Sequence, residues 1–342
     1  MKPKVLFRVD ANKKIGWGHF YRCVALADML KNSFDISFAI SDPINDLINV
    51  LESKSINIIA LPSQVYTTPD RRGDKELNFD LEELLGDVNV VVLDGYWFGP
   101  SYQQQLRKHP VKVAIIEDEG RGRYMADLII NHAPGIPKDK YQTDNENPLF
   151  ALGTEYALLR AAFLKTARVQ FKKESYIKKV LISFGGLDYY DNTSKTLDWL
   201  LNNTNVKVHV IIGAGYSHQE KLKKVMSNAQ TRVILSQNLN EEQMASAMKT
   251  AGAAVLPASG VLFESIACRL PAISGAYTQN QEAIFNGFLS EGLIIDGGDF
   301  TNLTEAWSRL KNTDFADLKQ KQVTMIDGKS PERFNKLFKC LL

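Results

Sequence analysis

The segment Ile15-Gly16-Trp17-Gly18-His19 sets two glycines and a histidine between an apolar run, Val5 to Val9, and a stretch of helical periodicity, Tyr21 to Leu30. Glycines in such a loop let backbone amides come close to a bound oxygen, and the amino end of the following helix favours negative charge. An imidazole at that end suits a general base, because the positive end of a helix favours the neutral ring. A lone histidine is as a rule a satisfied structural residue, so it is the place of His19, more than its type, that carries the catalytic reading. A dinucleotide fingerprint is excluded, since the third glycine is missing and no well-placed acid follows roughly twenty residues on.

The second half of the chain holds a comparable set. Ser183-Phe184-Gly185-Gly186-Leu187-Asp188 follows an apolar run and reads either as an ordinary strand-to-helix turn or as a donor-rich anion cradle. Ala258-Ser259-Gly260 precedes a predicted helix, Val261 to Cys268, with Glu264 within its first two turns. Ser259 and the free amides there suit a diphosphate, while the Glu264 carboxylate suits a pair of ribose hydroxyls; the plainer reading is a serine cap beside a solvated glutamate. Asn280-Gln281 follows another strand end, where the pair suits sugar hydroxyls or amides, although a loop asparagine needs no such role. Asp94-Gly95-Tyr96 and Glu117-Asp118-Glu119 each close a buried run, and in a doubly wound sheet such ends face the ligand crevice. Adjacent acids at one strand end converge poorly on a single ion and no histidine lies alongside, so no metal is expected.

These residues need strand ends to hold them. Predicted strands at Val5–Val9, Ile36–Ile40, Ile56–Leu61, Val88–Leu93, Val111–Ile116 and Leu128–Asn131 alternate with helices at Tyr21–Leu30, Ile44–Ser53, Leu77–Leu85 and Ser101–Lys108, the pattern of a parallel doubly wound sheet. Ala133 to Asn147 reads as a loop leaving that sheet, and Tyr156 to Lys173 as a charged helical linker. A second series follows at Lys178–Phe184, Val206–Ile212, Thr231–Leu235, Ala253–Leu256, Pro271–Ser274 and Gly292–Ile295. The expected fold is α/β of the GT-B type: two Rossmann-like domains, 1–155 and 156–342, facing a central cleft. Phe334, Leu337 and Phe338 at helical spacing predict a terminal helix packing across the domains.

Composition excludes several classes. At 342 residues the chain exceeds what one hydrophobic core usually serves. With 41 Lys and Arg against 39 Asp and Glu there is no global field to draw in nucleic acid. Cys23, Cys268 and Cys340 lack ligand spacing and suit reduced thiols. The apolar stretches are too short to cross a bilayer and the start lacks the pattern of a signal peptide, so a cytoplasmic protein without an integral membrane segment is expected.

Taken together, Phe7-Arg8-Val9-Asp10, Gly16-Trp17-Gly18-His19-Phe20-Tyr21-Arg22-Cys23, Tyr156-Ala157-Leu158-Leu159-Arg160, Ser183 to Asp188 and Asn280-Gln281-Glu282 resemble the UDP-sugar hydrolases of pseudaminic acid biosynthesis. That family is related in fold to the glucosaminyltransferase of peptidoglycan synthesis. The resemblance implies hydrolysis, with inversion at the anomeric carbon, of UDP-2,4-diacetamido-2,4,6-trideoxy-β-L-altropyranose to UDP and free sugar, with no cofactor. It makes His19 the base that activates water. It puts Asp10, Gly16, Gly18, Arg22, Tyr96, Asp118, Asn280 and Gln281 around the sugar, and Gly185, Gly186, Ser259, Gly260 and Glu264 around the nucleotide. Family members commonly carry His where this chain has Gly95 and Asp-Asp where it has Glu117-Asp118; Trp97-Phe98 and Pro69 to Lys75 read as additions. Two rivals share the fold: a glycosyltransferase directing the same base to an acceptor hydroxyl, and a non-catalytic nucleotide-sugar binding protein.

Overall fold

The computed structural model describes the chain apart from residues 13–15, 63–83, 121, 171–176, 228 and 230. Lys13-Lys14, the Pro69 to Lys75 addition and the first seven residues of the Leu77–Leu85 helix therefore lie outside the described residues. The chain forms two compact units, Met1–Leu158 with Lys329–Leu342, and Leu159–Gly328.

In the first unit the strands are β1 (Lys4–Val9), β2 (Asp35–Ser41), β3 (Asn57–Leu61), β4 (Val90–Asp94), β5 (Lys112–Ile116), β6 (Gly122–Tyr124), β7 (Leu128–Asn131), β8 (Tyr141–Thr143) and β9 (Leu149–Leu152). Seven of them, among the described residues, make one parallel sheet in the order β3-β2-β1-β4-β5-β7-β9, and β6 pairs with β8 beside it. β4 reads Val-Val-Val-Leu-Asp and is buried at every position, as a strand covered on both faces must be. Helices α1 (Gly18–Leu30), α2 (Asn45–Ser53) and α3 (Pro100–Leu106) connect the strands.

Two expectations change here. The stretch Ala133 to Asn147 is not loop alone, since it carries β8, and β9 adds an edge strand where none was expected. Both are short and punctuated by Gly, Pro and Asn, which hides them from periodicity. Helix α1 begins at Gly18, three residues before its apolar repeat, and Trp17 at its N-cap supplies no side-chain cap.

The second unit contains α4 (Ala161–Ala167), β10 (Lys179–Ile182), α5 (Asn192–Asn203), β11 (Lys207–Ile212), α6 (Gln219–Met226), β12 (Val233–Gln237) and α7 (Glu241–Lys249). It continues with β13 (Ala253–Pro257), α8 (Gly260–Ala267), β14 (Ala272–Gly275), α9 (Gln279–Ser290), β15 (Ile295–Asp296), α10 (Leu303–Lys311) and α11 (Phe315–Met325). Its parallel sheet runs β12-β11-β10-β13-β14-β15. Among the described residues the expected linker helix is confined to α4. Arg269, buried and left-handed at φ 56°, anchors this unit: its guanidinium donates to the carbonyls of Ile266 (3.0 Å), Gln322, Ala167 and Ile326 (2.8 Å each), at or just past the ends of α8, α11 and α4.

The chain then returns to the first unit as α12 (Ser330–Leu341). Phe334 and Phe338 are fully buried, Phe338 against Phe34 and Phe334 against Tyr156, each contributing about 1.5–3 kcal/mol by burial. Asn335 donates to the Met29 carbonyl at 2.7 Å, tying α12 to α1.

Candidate active site

The order β3-β2-β1-β4-β5 puts the carboxyl ends of β1 and β4 side by side, where successive crossovers leave in opposite directions. α1 starts beyond β1 and carries His19 and Arg22, three residues apart and so on one face. β4 ends at Asp94, which is wholly buried.

Asp94 Oδ1 lies 2.6 Å from His19 Nδ1, and Arg22 grips the same carboxylate through Nε to Oδ2 and Nη2 to Oδ1, both at 2.6 Å. Arg22 Nη1 reaches Asp118 Oδ2 at 3.0 Å, and the Tyr96 hydroxyl donates to that oxygen at 3.0 Å. The second Asp118 oxygen is buried without a hydrogen-bond partner. Tyr96 also meets the His19 ring edge-on at 5.0 Å, and Trp97 meets it at 6.2 Å.

A carboxylate only accepts and a guanidinium only donates, so the proton arrangement is constrained. The 2.6 Å approach of Asp94 requires the proton on Nδ1; Arg22 Nη2, 2.9 Å from that nitrogen, is then a neighbour and not its donor. Nε2 is left with the lone pair. Burial alone would raise the Asp94 carboxyl, but the Arg22 charge and the hydrogen bonds from Arg22 and His19 outweigh it and hold the group below its ordinary range. Burial works against the Arg22 charge too, and the two aspartates overcome it. Cys23 sits 3.5 Å from Asp94, with burial and that carboxylate pushing its thiol well up, so it is an inert neighbour.

Sequence reasoning named Asp94 as a strand end without seeing its pairing with His19; it passed over His132 and Arg160 as working parts. His132, just past β7, accepts from the Leu158 amide at 3.2 Å and is pushed down to about 3, chiefly by burial and then by the Arg22 charge, so it stays neutral. Asp10 is placed deeper than a sugar contact needs: at 1% exposure it accepts from Arg8 Nη2 and the Ser41 amide, each at 2.8 Å. Glu117 is likewise occupied by Asn131 and the amides of Glu119 and Gly120, with burial the leading cause of its raised pKa.

Gly95 is confined to glycine by its surroundings. Its φ of +154° and a Cβ position 2.8 Å from the Trp97 ring leave no room for a side chain. Gly16, at φ 84°, closes the loop before α1 by donating to the Asn12 carbonyl at 2.8 Å.

In the second unit the strand ends are built from backbone. A Cβ added at Gly213 would lie 2.6 Å from the Gly186 Cα, and at Gly275 2.0 Å from the Gly298 carbonyl, so these glycines serve packing. Gly185 and Gly260 differ, since a Cβ there would meet nothing within 4 Å; Gly18 of the first unit is the same. Ser259 stands at the α8 N-cap without a side-chain cap bond.

Glu264 on α8 is paired with Arg160, whose Nε and Nη2 both approach Oε1 at 2.8 and 2.7 Å. Burial raises its pKa and Arg160 opposes the shift. Asn280 and Gln281 lie in the first turn of α9, where Gln281 Oε1 accepts from the Tyr277 amide at 3.1 Å. Among the described residues no cluster of His, Cys, Asp and Glu could hold a metal ion, and no helix is long and apolar enough to cross a membrane.

Two parallel α/β domains of this order define the GT-B fold, and the comparisons agree. The chain superposes on MurG of Acinetobacter baumannii over 99% of its length and 100% of the other's, with a TM-score of 0.66 at 15% identity. Residues 178–313 match the family described as glycosyl transferases group 1. Among relatives, the UDP-2,4-diacetamido-2,4,6-trideoxy-beta-L-altropyranose hydrolase of Campylobacter jejuni is 25% identical over 297 residues, 86% of this chain and 98% of that protein. An uncharacterized protein of Methanocaldococcus jannaschii is 21% identical over 300 residues; that match covers 84% of this chain but only 58% of that protein's length.

Proposed function

We propose that the protein hydrolyses a UDP-linked 2,4-diacetamido-2,4,6-trideoxyhexose, releasing UDP and free sugar with inversion. The observation that carries this reading is the His19–Asp94 pair: Nδ1 is tied to a buried carboxylate, and Nε2 is left as a base. Water attacks the anomeric carbon as its bond to the UDP oxygen breaks, and Nε2 takes the water proton. Asp94 stabilises the resulting imidazolium and fixes the ring, a role that Arg22 supports by holding both carboxylate oxygens.

The leaving UDP needs charge stabilisation more than a proton. Amides at Gly185–Gly186 and at the Ser259–Gly260 helix end supply it, and Glu264, steadied by Arg160, takes the ribose. In the first unit Tyr96, Arg22 and Asp118 suit the sugar, the unpartnered Asp118 oxygen accepting from one of its N–H or O–H groups; in the second unit Asn280 and Gln281 offer amides suited to sugar hydroxyls. The similarity to the Campylobacter hydrolase supports this substrate class, and the family resemblance makes the product sugar a precursor for pseudaminic acid synthesis, serving flagellin glycosylation or surface polysaccharide.

The match of residues 178–313 to glycosyl transferases group 1 favours a second reading, in which Nε2 deprotonates an acceptor hydroxyl instead of water. One experiment separates them. The UDP-sugar is incubated with the protein and no acceptor, and UDP and free sugar are followed by proton NMR. Equal amounts of both, absent with His19→Ala, are expected; binding without release would reject hydrolysis of this sugar and leave the transferase, another substrate or a non-catalytic binding protein.

A further inference from the structure

At the carboxyl edge of the second sheet, Tyr190 is 57% exposed and meets Tyr277 edge-on at 5.7 Å. Behind them the cluster continues inward: Tyr277 lies 6.4 Å from Phe184 and 6.3 Å from Phe300, and those two buried rings meet at 4.8 Å. Tyr190 is thus an exposed ring on a ridge rooted in the core.

The loop that presents it is over-determined. Asp188 (φ 42°) and Asp191 (φ 52°) both adopt the left-handed region that side chains avoid, one on either side of Tyr189-Tyr190. Asp188 accepts from the amides of Asn192 (2.9 Å) and Thr193 (2.8 Å), while Asp191 accepts from the Tyr216 hydroxyl at 2.7 Å and pairs with Lys221. Strain retained in this way, with a large apolar ring turned to solvent, is characteristic of a ligand clamp.

The topology says which part of the ligand the ring meets. Tyr190 follows β10 and Tyr277 follows β14, the two strands that flank β13, and β13 leads to Ser259 and Gly260. Tyr277 is also bonded through its amide to Gln281, next to Asn280, whereas Glu264 lies further along α8. We infer that Tyr190, backed by Tyr277, is a stacking shelf for the apolar face of the donor sugar, with the nucleobase held elsewhere. This rests on the nucleotide-sugar reading. It assigns specificity for sugars that offer a C–H face or a methyl group to a residue that takes no part in the proton transfer.

The test is a binding titration of UDP and of UDP-N-acetylglucosamine against wild type, Tyr190→Ala and Tyr190→Phe, with melting temperatures checked alongside. Tyr190→Ala should weaken the UDP-sugar about fivefold, the scale of one aromatic face, and leave UDP unchanged, while Tyr190→Phe keeps both. Equal weakening of both ligands would assign the ring to the nucleotide, and no weakening of either would remove the shelf; both results overturn the inference. Wild type that fails to bind UDP at all would instead reject the nucleotide-sugar reading itself, and the shelf with it.

Discussion

The two sheet edges are built from different materials. In the first unit the edge carries polar and charged side chains: His19 and Arg22 of α1 interlock with Asp94 and Asp118, with the central carboxylate wholly buried. In the second the edge is glycine and helix end, with open space before Gly185 and Gly260. Side chains suit a proton transfer, which needs one nitrogen in one tautomer. Backbone amides suit a diphosphate, which needs many weak donors and close approach. Two arginines follow the same division, the part-buried Arg22 answering carboxylates and the buried Arg269 answering helix carbonyls.

If that division is right, Asp94→Asn should have the largest effect. It loses the charge that fixes the ring, and turnover should fall about 10²–10⁴-fold with UDP affinity unchanged, measured by steady-state rates and calorimetry. An equal loss of UDP affinity would erase the distinction between the edges. Arg269→Met should leave four carbonyls without their donor and cost about 2–4 kcal/mol of stability in urea unfolding, with the UDP affinity of the surviving folded protein kept. Gly260→Leu adds a side chain where space is open, so the melting temperature should hold while UDP binding weakens about tenfold, a change that calorimetry resolves. A fall in melting temperature instead would make Gly260 a packing glycine like Gly213.

The smallest effect expected is in pH dependence, and its sign differs between the units. Asp94 is held below its ordinary value, so its contribution is full above about pH 3.9 and is lost as pH falls through its folded pKa. Glu264 is raised, chiefly by burial, so its ionised form costs stability that is recovered as pH falls through its folded pKa. Stability relative to Asp94→Asn should therefore decline on acidification, and stability relative to Glu264→Gln should rise. Urea midpoints between pH 7 and 3 check both, and parallel trends would contradict the assignment.

Much of the frame is legible in the residues. β7 occupies Leu128–Asn131, the bounds its apolar run predicts, and α8 follows Ser259 with Glu264 inside its first two turns. Pairings across long separations are not legible. His19 and Asp94 are 75 residues apart and Arg160 and Glu264 are 104 apart, so each becomes visible only once the sheet order is known. Asp10, which the resemblance puts at the sugar, shows a short-range pairing that is equally hidden: Arg8, two residues earlier, takes up its carboxylate. The space occupied by Trp97 beside Gly95 is equally invisible in composition, because it depends on the backbone turning at φ +154°.

The most direct test of the account is to measure turnover of the UDP-sugar and UDP affinity on the same preparations of wild type and His19→Ala. The account predicts that turnover falls at least about 100-fold while the UDP dissociation constant stays within about twofold. Retained turnover, or UDP binding lost together with it, would contradict the assignment of base chemistry to the first sheet edge and nucleotide binding to the second.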